Sequence, residues 1–286
     1  MKTLGVIGGS GLYELELEDR REEHVSTPFG PPSDALVSGE VSSGSDRVRL
    51  VFLPRHGRGH RLLPHEINYR ANIWALKHAG ASRVVSVSAV GSLKEDIAPG
   101  ELVVPDQFID LTRKRESTFF GNGISGHVAM ADPVCSMLAE TLHLTAAAVQ
   151  PRSHRGGTYV CMEGPQFSTR AESLVYRSWG ASVIGMTNMP EAKLAREAGL
   201  CYATLALATD YDCWHESEEA VSITSVLAVM KQNIATARHI IRALGARLTD
   251  TRTCACAHAP RHAVVSTNEV ASPEALQVLD FLQREI

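Results

Sequence analysis

Tyr-Ala-Thr-Leu-Ala-Leu-Ala, at residues 202–208, is a nearly continuous apolar run. A strand that is apolar on both faces is typical of the centre of a sheet covered on both sides. Other short runs that favour strands lie at residues 4–7, 35–41, 48–53, 84–87, 158–162 and 182–185. Longer segments with apolar residues at helical spacing separate several of these runs. The alternation predicts an α/β fold, a single domain with a central mixed β-sheet flanked by helices.

The predicted helices have recognisable ends. Gly80 and Gly199 end two of them, and the capping-box spacing from Thr169 to Glu172 begins a third. A long helix begins at Ser222, and Ser272 caps a short one near the C-terminus. Composition changes near residue 248, after which Thr, Cys, Ala and His dominate. We therefore predict a main domain over residues 1–248 and a C-terminal extension over residues 249–286.

Composition excludes several classes of protein. The 286 residues are 44% hydrophobic and 21% charged, which is ordinary for a globular chain. A net charge of -4 and only 6% aromatic residues argue against nucleic-acid binding and against binding to a membrane surface. The N-terminal apolar stretch is too short for a signal peptide, and no stretch approaches the ~18 apolar residues of a membrane span. These features predict a cytoplasmic protein.

The six cysteines fall into two groups. Cys161, Cys201 and Cys213 lie in or beside apolar runs, where a thiol behaves as a small hydrophobic group. Cys254 and Cys256 are one residue apart, with His258 nearby, but they lack the second pair of ligands typical of a structural zinc site. For these two, surface thiols and a redox or metal role remain open alternatives.

Polar side chains follow four of the predicted strands, where α/β folds gather their ligands. They are Ser10, Arg55 and His56, Ser88 with Ala89, and Thr187. The glycine turn around Ser10 fits neither a dinucleotide fingerprint nor a Walker loop, so a plain turn and an anion-binding nest both remain possible there. Arg55 and His56 belong either to a solvated basic loop or to a phosphate site. Taken together, the four groups of donors favour an oxyanion site.

Two carboxylates follow the central strand. Alternate residues of an extended chain point the same way, so Asp210 and Asp212 are predicted to face one pocket. Burial and mutual repulsion would raise the pKa of at least one of them, as a general acid requires. A cap on a turn or helix is the alternative. Spacing and composition thus favour a site for phosphate and a polar ligand, without naming the reaction.

An ordered set of motifs then resembles the 5′-methylthioadenosine phosphorylase branch of the purine nucleoside phosphorylase family. The resemblance extends from residue 4 to about residue 244, and the motifs lie at residues 6–11, 27–30, 32–35, 55–57, 68–72, 163–172 and 209–214. Such enzymes transfer the ribosyl group of a purine nucleoside to inorganic phosphate and release the base. The resemblance implies a nucleoside phosphorylase-like fold, with residues 1–248 as the catalytic domain.

The resemblance also implies roles for individual residues. Phosphate would be held by Ser10, Arg55, His56, Ser88, Thr187 and the backbone of Ala89; serine stands at positions 10 and 88, where threonine is common. Phe167 and Met186 would line the base and ribose, Ser168 would lie near the base, and Asp210 and Asp212 would act at the polar edge of the purine. Ile223, Val226 and Leu227 would face the 5′ substituent. His127 would reach the substrate of a neighbouring subunit in a homotrimer. Phosphate is a co-substrate, and no metal or organic cofactor is implied.

Three other functions compete with this interpretation. A phosphorylase for 6-oxopurine nucleosides or 5′-methylthioinosine is the nearest, although its relatives usually carry asparagine in place of Asp210, since an amide can donate to O6. A hydrolytic nucleosidase of the same fold would not need the anion-binding pair Arg55 and His56. A silent purine-binding protein would not need the full set of phosphate donors together with both carboxylates.

Overall fold

The fold is that of a computed structural model, which describes residues 2–9, 11–12, 16–43, 46–215 and 223–286, with the backbone alone at residues 43, 46, 223–228 and 268. The strands of this part of the chain are β1 (Lys2–Gly8), β2 (Glu18–Glu23), β3 (Leu36–Ser43), β4 (Asp46–Pro54), β5 (Arg83–Ser92), β6 (Leu102–Val104), β7 (Gln107–Asp110), β8 (Ser153–Arg155), β9 (Thr158–Cys161), β10 (Val183–Gly185) and β11 (Cys201–Asp210). The α-helices are α1 (Tyr69–His78), α2 (Ser136–Val149), α3 (Arg170–Ser178), α4 (Asn188–Glu197), α5 (Ile223–Arg247) and α6 (Pro273–Gln283).

All of the described strands belong to one mixed sheet. Along its main path the order is β2-β3-β4-β1-β5-β10-β9-β7, while β11 pairs with β5 and β6, and β6 pairs with β8. Strands β4, β1, β5 and β11 run parallel to one another, whereas β10 is antiparallel to β5. The predicted α/β fold with a central mixed sheet is confirmed, and the run at residues 202–208 lies inside β11, fully buried.

Helices cover the sheet on two faces, and each face has its own core. Ile7 of β1 packs with α1 and α4 in one cluster of buried residues, while its neighbour Val6 packs with α2 and α5 in another. Because successive side chains of a strand point to opposite faces, a strand between two helix layers must be apolar at every position. This requirement explains why the central strands are continuous apolar runs in the sequence.

Strand β5 is longer than its sequence predicts. The expected strand over residues 84–87 continues to Ser92, so Ser88 and Ala89 lie within a strand and not after one. The reason is pairing: β11 stays in register with β5 as far as Val90 and, after a shift of one residue, pairs Asp210 with Gly91, while β10 adds antiparallel pairs at Gly91 and Ser92.

The C-terminal extension packs against the main body of the protein. Phe281 of α6 stacks on Trp74 of α1, with 3.8 Å between the ring centroids. Lys77 Nζ, also on α1, donates to the carbonyl oxygen of Leu282 at 2.7 Å. The division at residue 248 stays a prediction. None of the described helices combines the length and the apolar character needed to cross a membrane.

Candidate active site

Two buried hydroxyl groups meet where β5, β9 and β10 lie side by side. Ser88 Oγ is 3.3 Å from Thr187 Oγ1 and 3.2 Å from Tyr159 Oη. Thr187 is the N-cap residue of α4, yet its side chain makes no capping hydrogen bond. The structure therefore brings together two of the predicted phosphate ligands and leaves the Thr187 hydroxyl free of a helix-capping role.

Arg55 is buried in an ion pair with Glu191. Its Nε donates to Glu191 Oε2 at 2.9 Å, and Nη2 donates to Glu191 Oε1 at 3.2 Å and to Ser86 Oγ at 2.6 Å. Nη1 donates to the Val87 carbonyl at 3.0 Å. Burial lowers the pKa of Arg55, but the charge and hydrogen bond of Glu191 outweigh it, so the pKa is raised. The Nε and Nη2 side of the guanidinium thus faces Glu191. Among the described contacts, Nη1 makes one hydrogen bond, so its second hydrogen is left for a ligand.

His56 is held in one tautomer by the backbone. Its Nδ1 lies 2.9 Å from the carbonyl oxygen of Leu62, which can only accept, so Nδ1 carries the hydrogen and Nε2 has a free lone pair. The ring stacks on His60 at a centroid distance of 4.1 Å. Burial, with a smaller contribution from the charge of Arg55, lowers the pKa of His56 to about 4. His56 is therefore neutral near pH 7 and offers an acceptor at Nε2.

The pKa of His56 predicts a loss of stability in acid. Its pKa falls from 6.5 to about 4 on folding, so between these values the unfolded chain binds more protons. The free energy of unfolding should then fall by up to about 3 kcal/mol as the pH drops through that range, and the contribution is fully present above pH 6.5. Urea unfolding of the wild type and of His56→Gln at several pH values checks this. Equal pH slopes for the two proteins would contradict it.

Asp210 and Asp212 lie at the carboxyl end of β11, but the chain between them is a turn. Asp212 has a φ of 51°, and its backbone N–H donates to Asp210 Oδ1 at 2.8 Å. Thr209 Oγ1 donates to Asp210 Oδ2 at 2.7 Å. The extended geometry predicted from their spacing is therefore wrong, because Asp210 caps the turn. The turn-cap alternative describes its backbone role correctly.

Both carboxyl groups still gather beside β5. A Cβ atom on Gly91 would lie 3.0 Å from Asp210 Oδ1 and 3.2 Å from Asp212 Cβ, so glycine permits their close approach. Burial is the main cause that raises the pKa of each, and repulsion from Asp210 adds to the effect at Asp212. Asp212 Oδ2 is buried without a hydrogen-bond partner among the described residues. The pair can hold a proton and present it to a ligand.

A loop from Glu163 to Ser168 forms another wall, and Arg115 holds it in place. Arg115 Nη1 donates to the Met186 carbonyl at 2.7 Å, and Nη2 donates to the Glu163 carbonyl at 2.8 Å. Gly164 lies against the Met186 side chain, where a Cβ would come within 2.5 Å of Sδ. Phe167, on the same loop, is 51% exposed. The structure thus brings Met186 and the loop together and leaves the Phe167 ring facing solvent.

The remaining predicted site residues are Ser10, Ala89, His127 and the three apolar residues of α5. Ser10 lies outside the described residues, as do the side chains of Ile223, Val226 and Leu227. Gly8, two residues before Ser10 in the sequence, accepts at its carbonyl oxygen from the backbone N–H of Arg55 at 2.9 Å. Half-buried Ala89 follows Ser88 in β5. His127 is exposed, and its backbone N–H donates to Ala263 of the C-terminal extension.

Sequence patterns do not identify two residues that hold this region together, Glu191 and Arg115. Glu191 follows Pro190 in the first turn of α4, where an acidic residue is expected merely to favour the helix. Arg115 is in a loop, and no motif marks it. Only the fold reveals that Glu191 meets Arg55 and that Arg115 fastens the backbone at Met186.

Comparison with known proteins places this arrangement in a large family. The sequence model of the phosphorylase superfamily matches residues 3–246. The S-methyl-5′-thioadenosine phosphorylase of Geobacter sulfurreducens is 56% identical over 283 residues, covering 98% of each chain. The protein of the same name from Koribacter versatilis is 50% identical over 280 residues, which cover 96% of this chain and 94% of that one.

The similar solved structures carry the same protein name as the relatives found by sequence. The crystal structure of a methylthioadenosine phosphorylase from an Antarctic soil metagenomic library superposes with a TM-score of 0.92, at 47% identity and 98% coverage of both chains. The methylthioadenosine phosphorylase of Schistosoma mansoni, solved in complex with adenine, gives a TM-score of 0.80 at 40% identity, covering 86% of this chain and 92% of that one.

Proposed function

The chain belongs to the phosphorylase superfamily, and we propose that it catalyses the phosphorolysis of 5′-methylthioadenosine to adenine and 5-methylthioribose 1-phosphate. It is a pentosyltransferase of the purine nucleoside phosphorylase type, as the sequence resemblance predicts. One observation supports the reaction above all others. Ser88, whose Oγ is 3.3 Å from Thr187 Oγ1, lies on β5 three residues before Gly91, and Gly91 pairs with both Asp210 of β11 and Ile184 of β10. An anion and a base can therefore bind side by side.

The phosphate half of the site supplies hydrogen bonds of both kinds. Ser88 and Thr187 donate to the phosphate oxygens, as do the Ala89 backbone and Ser10. Arg55 contributes one N–H and a positive charge that Glu191 balances, while its other N–H groups also donate to the carbonyl groups of Val87 and Ile7. His56 Nε2 accepts from the O–H of a protonated phosphate. Phosphate held in this way is a preoriented nucleophile, and its charge stabilises the cationic sugar of the transition state.

The base half of the site relieves the charge on the departing purine. Cleavage of the glycosidic bond leaves positive character on the sugar and negative charge on the base. Burial raises the pKa of Asp210, which favours its protonated form, and a protonated carboxyl group can donate to N7. Its second oxygen accepts from the 6-amino group of adenine. Asp212, Ser168, Phe167 and Met186 complete the surroundings of the base and ribose.

Preference at the 5′ position is a separate prediction. The residues Ile223, Val226 and Leu227 occur at i, i+3 and i+4 of α5, a spacing that forms one apolar patch on a helix. A methylthio group buried there should raise kcat/KM about 10–200-fold over the value for adenosine, which carries a hydroxyl. Steady-state kinetics on both nucleosides checks this. Equal kcat/KM values would rule out an apolar 5′ pocket.

Four nucleosides, each with and without phosphate, separate the competing functions. Methylthioadenosine, methylthioinosine, adenosine and inosine are incubated with the enzyme, and release of the base is followed. A phosphorylase for 6-aminopurines releases adenine only with phosphate and scarcely attacks inosine. Equal release without phosphate would identify a nucleosidase, and fast release of hypoxanthine would identify a 6-oxopurine phosphorylase.

Assembly and cellular role follow from the same proposal. We expect a homotrimer, in which His127 of one subunit reaches the 5′ end of its neighbour's substrate. Sedimentation that shows a fully active monomer would contradict this assembly. The enzyme would act in the cytoplasm, in purine and methionine salvage, with phosphate as co-substrate and with no metal or organic cofactor at the reacting centre.

A further inference from the structure

Four cysteines from three separate parts of the chain meet at one point. Cys135 precedes α2, Cys201 begins β11, and Cys254 and Cys256 belong to the C-terminal extension. All four Sγ atoms lie within 4.8 Å of one another, and those of Cys201 and Cys254 are 3.3 Å apart. Cys135, Cys201 and Cys256 are buried, and Cys254 is partly exposed. In the sequence, Cys254 and Cys256 lack the second pair of ligands that a zinc site needs. In the fold, Cys135 and Cys201 provide that second pair.

The arrangement fits four ligands around one ion. Zinc binds thiolates at about 2.3 Å in a tetrahedron, which places the sulfur atoms about 3.8 Å apart. All four side chains are free thiols, and each is near the other three, whereas two disulfides would require closeness only within each pair. We propose that Cys135, Cys201, Cys254 and Cys256 form a tetrathiolate zinc site. It joins the C-terminal extension to the sheet.

The backbone around the cluster is held by regular structure. The Cys135 N–H donates to the Tyr202 carbonyl at 2.9 Å, and the Cys201 N–H donates to the Ser82 carbonyl at 3.1 Å. Cys254 is the N-cap residue of a 3₁₀-helix over Ala255–His262, which contains Cys256. Three ordered elements therefore aim their thiols at the same point, and little chain entropy is lost when an ion binds.

Several arginines lie around the cluster. Arg196 Nη1 lies 3.9 Å from Cys256 Sγ, and Arg83, Arg247 and Arg252 line the cavity beside Cys135, Cys201 and Cys254. Four thiolates with one Zn²⁺ carry a net charge of about −2, which these cations offset.

The position of the cluster indicates a structural role. Cys201 stands at one end of β11 and Asp210 at the other, about 30 Å away at the rise of a strand. A site with four protein ligands has no open position for a substrate. Zinc there would hold the extension and α2 against the sheet without taking part in phosphorolysis, so this inference does not depend on the proposed function.

Metal content and thiol reactivity test the site together. The full-length protein is purified under reducing conditions without chelator, and its zinc is measured by mass spectrometry. We expect one zinc per chain, and four cysteines that react with an alkylating reagent only after the metal is removed. Co²⁺ added to the metal-free protein should give the absorption of a tetrahedral thiolate complex. Peptide mapping identifies the four protected cysteines.

A matched pair of variants assigns the ligands. Competition with a chromophoric chelator should show at least about tenfold weaker zinc binding for Cys256→Ser, since even groups behind the ligands change affinity by about 10–100-fold. Cys213→Ser, at a thiol outside the cluster, should bind zinc like the wild type. Should Cys256→Ser fail to fold, the wild-type stoichiometry and alkylation map decide alone. Disulfides among the four cysteines, or no zinc binding by the reduced protein, would overturn the proposal.

Discussion

Replacing Asp210 by asparagine should lower kcat/KM for methylthioadenosine by about 10²–10⁴-fold, the usual contribution of a positioned general acid. An amide cannot transfer a proton to N7, and its NH₂ group would face the 6-amino group of adenine. The same amide can donate to O6 of a 6-oxopurine, so activity on inosine should fall much less. The ratio of kcat/KM for methylthioadenosine to kcat/KM for inosine should therefore decrease.

Steady-state kinetics on methylthioadenosine and inosine measures both effects. Asp250→Asn is the matched control, because the Asp250 side chain is 85% exposed at the surface. Thermal melting of each variant verifies that folding is intact. An Asp210→Asn enzyme with nearly unchanged kcat/KM for methylthioadenosine would show that Asp210 is not the acid.

Removing the charge of Glu191 should have the largest effect on stability. Glu191 is completely buried and bonds to both Arg55 and Tyr202, whose hydroxyl donates to Oε1 at 2.9 Å. In Glu191→Gln, the Arg55 cation would remain buried without its counter-ion. Breaking a buried pair in this way costs about 3–5 kcal/mol, so the urea midpoint should fall sharply. Phosphate should stabilise the variant less than it stabilises the wild type.

An exposed ion pair provides the control for Glu191. Glu18 pairs with Arg47 at 3.2 Å, but its side chain is 57% exposed. Glu18→Gln should change the free energy of unfolding by less than about 1 kcal/mol. If both variants lose the same small amount of stability, the buried Arg55–Glu191 ion pair does not make the expected contribution to the free energy of unfolding.

The central strands were predictable because burial on both faces leaves a continuous apolar run. Strands β1, β4 and β11 lie where the sequence places them, with ends that differ by one or two residues. Strand β2 carries no such signal, since its six residues Glu18–Glu23 are all exposed and pair only with β3. Local patterns thus predict the interior of this sheet better than its edge.

The sequence predicted several individual residues of the site but not the contacts between them. Strand ends pointed to Ser88, Thr187 and Asp210, but Arg55 and Glu191 are 136 residues apart in the chain. The cysteine cluster likewise joins Cys201 to Cys254 across 53 residues. Local spacing does not reveal such pairings, because they depend on how distant strands and helices pack.

The fate of isotopically labelled phosphate tests the proposed reaction most directly. Methylthioadenosine is turned over in phosphate whose four oxygens are ¹⁸O, and the products are analysed by mass spectrometry. If a phosphate oxygen attacks the anomeric carbon, each adenine released is matched by one 5-methylthioribose 1-phosphate that retains all four labelled oxygens. Adenine accompanied by free 5-methylthioribose, formed equally fast without phosphate, would contradict the assignment of phosphate as the nucleophile.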